Sequence, residues 1–105
     1  MTNRLPKGDQ IEDYCLNPEH PRGRHKARVF RESLGLHRSD ALWLSTQLLE
    51  AARSGEALRI GADRWGVQWR IDVSFRRQDK AAVVRTVWIV RTGESTPRFV
   101  SCWVL

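Results

Sequence analysis

Cysteine is scarce: among 105 residues only Cys15 and Cys102 carry a thiol. A single bridge is the most such a pair can make, so a disulfide-stapled scaffold is excluded. The two read as reduced, buried thiols of a cytosolic protein, with one disulfide as the alternative. Long apolar runs are also missing. None approaches the roughly 20 residues that a membrane-spanning helix needs. The opening stretch MTNRLPKGDQ lacks the apolar segment of a secretory signal, so export is expected to need an address supplied elsewhere. The three histidines are not spaced as zinc ligands, and no cysteine pair accompanies them. Walker loops, dinucleotide fingerprints, G-x-S-x-G elbows and glutamate-rich metal motifs are absent. No cofactor is implied, and an enzyme made of these residues is expected to work without metal.

Positive charge is plentiful. Eighteen Lys and Arg face twelve Asp and Glu, a net +6. That balance favours polyanionic partners, either nucleic acid or an acidic protein surface. The cations are concentrated. Residues 16–30 read LNPEHPRGRHKARVF, and Arg22, Arg24, His25, Lys26, Arg28 and Arg31 crowd the start of a predicted helix. A helix dipole already places positive charge at that end, so added cations sit poorly there. Either they form a solvated face or they await an anion.

The chain is short enough for one domain with a modest core, to which five tryptophans contribute much of the area. Residues 1–8 are polar and read as loose. Ile11 to Leu16 suits a helical turn or two, and Pro18 and Pro21 keep the next residues out of a helix. A helix is expected from Arg22 to Leu34, with Ala27, Phe30 and Leu34 as its apolar stripe and Gly35 as its stop. Lys26 shares Phe30's side of that helix, while His25 stacks with Arg28 and Val29. A second helix is expected from Asp40 to Arg53, with Ser39 as N-cap and Gly55 as stop. Its apolar face is Ala41, Leu44, Leu48, Leu49 and Ala52.

From Arg64 the period becomes two, and Val67, Trp69, Ile71, Val73 and Phe75 alternate with polar residues, as in a half-buried strand. A polar turn over Arg76 to Lys80, a central strand over residues 82–91, a turn from Thr92 to Pro97 and a last strand over residues 98–105 follow. The reading is α+β: N-terminal helices packed on one face of a C-terminal antiparallel sheet of three to four strands.

Arg85 and Thr86 interrupt the apolar central strand. An arginine there needs a partner, Asp72 or Glu94, or else faces an open anion site. In the last strand Ser101 and Trp103 share a face, and a strict two-residue period sends Arg98 to the other. Ser101 is either a core hydroxyl or a ligand to substrate. His25 is a surface residue or a base, and a cationic neighbour such as Lys26 favours the uncharged ring a base requires.

RNA cleavage through the 2′-OH needs only such parts. His25 would be base or acid, Lys26, Arg85 and Arg98 would clamp phosphate, and Thr86 or Ser101 would hydrogen-bond it. Arg22, Arg24 and Arg28 would bind the backbone. Trp65, Trp69, Trp88 or Trp103 would stack a base unless committed to the core.

Three runs carry a resemblance: LNPEHPRGRHKARVF, DRWGVQWRIDVSF and VVRTVWIVRTGESTPRFVSCWVL. Together they resemble a family of small bacterial domains of unknown function, found as short proteins or at the ends of larger ones at toxin–antitoxin and polymorphic-toxin loci. The resemblance spans residues 10–105. A G-x-x-K-A-x-x-F helix signature falls on Gly23, Lys26, Ala27 and Phe30. An R-T-x-W signature falls on Arg85, Thr86 and Trp88, and a P-R-x-V-[S/T] segment on Pro97, Arg98, Val100 and Ser101. Trp103 stands where relatives usually carry Tyr, so a phenol's role in proton transfer would be missing. The arrangement also looks like the colicin-D/RelE-like ribonuclease fold, which implies a metal-independent RNA-cleaving site.

Three functions compete on this basis. One is a toxin domain cleaving tRNA or mRNA, restrained by an acidic antitoxin or immunity protein. The second is a non-catalytic module binding RNA or an acidic protein. The third is an adaptor domain of an effector. The first would act in the cytoplasm, its own or that of a target cell, with no membrane partner.

Overall fold

The structure, a computed structural model, describes Leu16 and residues 24–105. The expected helical turn before Leu16, together with Cys15, Arg22 and Gly23, lies outside the described residues. Leu16 itself is 2% exposed and belongs to the core.

Helix α1 runs from Arg24 to Leu34 and buries Ala27, Phe30 and Leu34. These are the three residues of the predicted stripe. The helix stops at Gly35, whose φ of 66° is a left-handed conformation that a β-carbon disfavours. The Gly35 N–H donates to the Arg31 carbonyl at 2.9 Å, closing the helix end.

A 3-10 turn, Arg38–Asp40, leads into helix α2, Ala41–Ser54. Ser39 sits within that turn rather than capping the helix, and Asp40 occupies the cap position. The Asp40 carboxylate accepts the His37 N–H at 2.9 Å, which ties the turn together. Gly55 ends α2 with extended backbone, φ −75° and ψ 154°, so its reason is not a left-handed cap. A β-carbon there would lie 2.5 Å from both the Ala51 carbonyl oxygen and Ile71 Cγ2. Close approach of helix and sheet requires this glycine. The buried stripe of α2 is Ala41, Leu44, Ser45, Leu48 and Ala51. It is turned slightly from the expected one: small Ser45 and Ala51 take inner places, while Leu49 and Ala52 stay partly exposed.

Four strands follow: β1 Ala57–Asp63, β2 Gly66–Arg77, β3 Lys80–Arg91 and β4 Arg98–Val104. They form an antiparallel meander in the order β1-β2-β3-β4. Helices precede the sheet, as the α+β reading requires. β1 lies where the periodicity predicts no element. Its sequence ALRIGAD hardly alternates, it is exposed at every residue but one, and its register slips between Arg59 and Gly61. Pairing to β2, not amphipathicity, makes it a strand. The β2–β3 turn is also tighter than the polar stretch suggests. Arg77 pairs with Lys80, leaving Gln78 and Asp79 as a two-residue loop with Gln78 at φ 57°.

Ile71 and Phe75 of β2, Val84, Thr86 and Trp88 of β3, and Cys102 of β4 are buried. They share the helix-facing side of the sheet with the α1 and α2 stripes. Each large side chain enclosed there contributes about 1.5–3 kcal/mol. Arg77 pins the layers together. Its guanidinium donates to the Gly35 carbonyl at 3.0 Å and to Asp40 Oδ1 at 2.9 Å. It also lies 5.4 Å from the Trp43 ring centroid. The C-terminal end of α1 is thereby fixed, and the direction of its polar face is set.

Candidate functional site

Successive residues on a helix point about 100° apart, so His25 and Lys26 diverge. Lys26 leans over β4. Its Nζ donates to Ser101 Oγ at 2.9 Å and stands 6.0 Å from the Trp103 ring centroid. Trp103 is 37% exposed, so its ring borders solvent. Helix α1 and edge strand β4 thus bring an ammonium, a hydroxyl and an aromatic ring to one rim.

His25 looks outward instead. It lines an open cleft of about 440 Å³ with Arg24, Arg28 and Arg31. Arg28 Nη2 lies 3.2 Å from His25 Nδ1. Guanidinium can only donate, so in this contact Nδ1 accepts and a neutral ring carries its proton on Nε2. Among the described residues, carboxylates pair with Arg70, Arg77, Arg85 and Arg98. None pairs with Arg24, Arg28 or Arg31. The first turn of α1 contains no acidic residue either. Arg24, in the first turn, therefore stands against the helix dipole with no described acidic neighbour, whereas Arg31 lies in the last turn, where the dipole favours a cation. Arg31 enters the site through its spacing, since Arg24, Arg28 and Arg31 follow at i, i+4 and i+7. That spacing is visible in the sequence once the helix is recognised.

The central strand divides its interrupting pair. Arg85 lies on the sheet face away from the helices, opposite Asp72 on β2. Its Nε and Nη2 donate to the two Asp72 oxygens at 2.9 and 3.0 Å. These bonds hold the Asp72 carboxyl below the usual carboxylate range, against the opposing push of burial. Arg70 is 3.8 Å from the same carboxylate. Of the two partners weighed for Arg85, Asp72 is the one it takes.

Thr86 points the other way and is fully buried. Its hydroxyl donates to the Ile71 carbonyl at 2.7 Å and accepts from Trp88 Nε1 at 2.9 Å. Trp88 is 1% exposed, with its ring edge-on to Phe99 at 5.4 Å. A base stacking on Trp88, or a phosphate reaching Thr86, would have to enter the core.

Arg98 departs from the strict two-residue period. The β3–β4 register slips between Val87 and Trp88, so Arg98 pairs with Ile89 while Ser101 pairs with Val87 and Trp103 with Arg85. Directly opposed residues share a face. One extra residue in β4 therefore returns Arg98 to the side of Ser101, Trp103 and Arg85. Its guanidinium is held by Glu94 at 3.0 Å.

Trp65 is 65% exposed in the β1–β2 turn, with the Arg64 guanidinium 4.8 Å from its ring centroid. Trp69 lines an apolar cavity of about 270 Å³ with Trp88, Ile71 and Pro97. Cys102 is buried opposite Thr86. Among the described residues no three His, Cys, Asp or Glu side chains gather as metal ligands. No described helix is long and apolar enough to cross a membrane.

A family model described as a domain of unknown function, DUF6883, matches residues 6–105. The chain belongs to this family. No curated protein matches it. Among solved structures, this DUF6883 domain is similar to a chain of a contact-dependent growth inhibition toxin–immunity protein complex from Klebsiella pneumoniae 342. The two are 16% identical, the match covers 100% of both chains, and the TM-score is 0.70. At that identity the likeness establishes a shared fold.

Proposed function

We propose that this DUF6883 domain is a toxin-like, metal-independent endoribonuclease, neutralised by an immunity protein or antitoxin. The observation that carries this reading is the rim where Lys26 donates to Ser101 beside Trp103; the arginine cleft that holds His25 lies on another side of the same helix. A fold shared with a chain from a toxin–immunity complex supports it.

The chemistry would proceed by attack of the 2′ oxygen on the adjacent phosphorus. A base takes the 2′-OH proton as the O2′–P bond forms. The P–O5′ bond breaks, and the 5′ oxygen leaves with a proton from an acid. The products are a 2′,3′-cyclic phosphate and a 5′-hydroxyl. Lys26 stabilises charge on the phosphorane oxygens and Ser101 hydrogen-bonds one of them; His25 diverges from that rim, so proton transfer by it requires the RNA to cross the outer face of α1. Arg24 and Arg28 hold flanking phosphate, and Trp103 stacks a base. Arg85 and Arg98 would join only by sharing their guanidinium groups with Asp72 and Glu94. Thr86 and Trp88 support the site from the core.

The test is induction in bacteria of the wild-type chain beside Lys26→Ala, with total RNA examined on a gel. Growth arrest with discrete fragments ending in cyclic phosphate, lost in the variant, is expected. Unchanged cleavage by Lys26→Ala removes this site assignment. Intact RNA in cells holding soluble wild-type protein removes the nuclease reading. A second reading, a silent module binding RNA or an acidic protein, is favoured by the engagement of Arg85 and Arg98 in ion pairs. It predicts binding without cleavage.

A further inference from the structure

An antiparallel strand with one face in water alternates apolar and polar residues. β2 does so: Gln68, Arg70, Asp72, Ser74 and Arg76 turn away from the buried side. β3 does not. Its register sets Val83, Arg85, Val87 and Ile89 on that same outward side, opposite Ser74, Asp72, Arg70 and Gln68. This is the pattern of a strand covered on both faces, yet the described core packs against one. Val83 is 39% exposed, and Val87 and Ile89 are half-buried. β4 extends the patch. Exposed Trp103 stands beside Arg85. The Leu105 N–H donates to the Val83 carbonyl at 2.9 Å, which sets another exposed apolar residue alongside. Apolar residues scattered singly on a surface need no explanation, but a contiguous set marks an interaction site.

The charges of this face already bind carboxylates. Arg85 donates to both Asp72 oxygens. Arg70 stands 3.8 Å from the same carboxylate, and its Nε makes no hydrogen bond. One carboxylate serves two guanidinium groups, so the local excess is positive. Arg98 is held by Glu94. A phosphate chain would have to displace Asp72 and Glu94, and aliphatic Val83, Val87 and Ile89 offer a base no ring to stack on. A protein surface with an apolar centre and carboxylates around it meets both features.

We infer that the face of the sheet away from the helices docks an acidic protein partner, whose apolar side chains cover Val83, Val87 and Trp103 and whose carboxylate joins Asp72 at Arg70 and Arg85. Ser101, with the Lys26 ammonium on its hydroxyl, lies at the β4 edge of this face, so a docked partner closes the rim. That this closure silences an enzyme rests on the proposed function; the docking itself does not.

The probe is a displayed library of random short peptides, selected against the full chain. Recovered peptides are synthesised with a fluorescent label and their affinities measured by anisotropy. Sequences rich in Asp or Glu beside Leu, Phe or Trp are expected. Val83→Glu is expected to weaken their binding roughly 5- to 30-fold. Val83→Ser removes the apolar contact without adding charge, and reads the same interface should the Glu variant melt early. Leu42→Glu, at a residue 79% exposed on α2, is expected to change nothing. Peptides indifferent to both Val83 variants, peptides without acidic residues, or no recovered peptide overturns the inference. A labelled single-stranded RNA that loses affinity in Val83→Ser, where no peptide does, gives the face to nucleic acid and overturns it too. Cleavage of RNA by the wild-type chain is scored separately. Docking as expected without cleavage keeps the face and removes the nuclease, whereas cleavage with peptides that map elsewhere does the reverse.

Discussion

Replacing Thr86 by Val distinguishes a structural threonine from a catalytic one. Valine nearly preserves the shape, so no cavity opens and the sheet backbone is undisturbed. The hydroxyl is what disappears. It accepts the Trp88 indole N–H at 2.9 Å and donates to the Ile71 carbonyl at 2.7 Å. Trp88 is 1% exposed and Thr86 fully buried, so water cannot replace the lost partner. An unsatisfied buried donor costs about 1–3 kcal/mol. For a domain of this size, each kcal/mol lowers Tm by about 4–8 °C. Thr86→Val should therefore melt roughly 4–24 °C lower, with an unchanged urea m-value. The assay is urea unfolding and thermal melting, run as a double-mutant cycle with Trp88→Phe. Phenylalanine has no N–H to strand, so the two substitutions together should cost less than the sum of each alone. Stability within ~0.5 kcal/mol of wild type would refute the reasoning. Loss of RNA cleavage at wild-type stability would instead place Thr86 in the chemistry.

Further outcomes follow from the same contacts. Gly55→Ala forces a β-carbon against the Ala51 carbonyl and Ile71, and should destabilise by about 1–3 kcal/mol. Gly61→Ala adds its β-carbon to open space and should be neutral or stabilising by up to about 1 kcal/mol; equal urea midpoints for the two variants would contradict the close helix–sheet approach. Because Arg85 lowers the Asp72 pKa, the unfolded chain takes up that proton first as pH falls. The pair's contribution is therefore present above the ordinary carboxylate pKa and is lost as pH falls through the lower folded value. Asp72→Asn should be less stable than wild type near pH 7, and the gap should narrow in strong acid; a gap that widens toward low pH would show that Asp72 does not act through this linkage. Lys26→Met should preserve the fold, because the methionine stem can still cover β4, while abolishing cleavage; a loss of Tm matching the loss of activity would make Lys26 structural instead.

The primary structure by itself specifies the local elements. Ala27, Phe30 and Leu34 recur at helical spacing, and they are the residues α1 buries. Gly35 marks a left-handed turn, and the alternation of Val67 to Phe75 predicts β2 from the pleat alone. The cation ridge is legible for the same reason: Arg24, Arg28 and Arg31 stand at helical intervals, so one local period carries both charge and direction. Pairing between strands decides the rest. β1 carries no pattern of its own and becomes a strand only because β2 offers hydrogen bonds. Arg98 changes face because β4 holds one extra residue against β3, and a two-residue period cannot foresee a slip in a partner's register. Whether Arg85 is a free cation or half of an ion pair depends on which carboxylate the register sets opposite it, and that is Asp72. Likewise Lys26 and Ser101 are 75 residues apart in the chain, and only the packing of α1 against the β4 edge makes them neighbours. Local chemistry is written in sequence order, but contacts across strands and layers exist only once burial has fixed how the pieces meet.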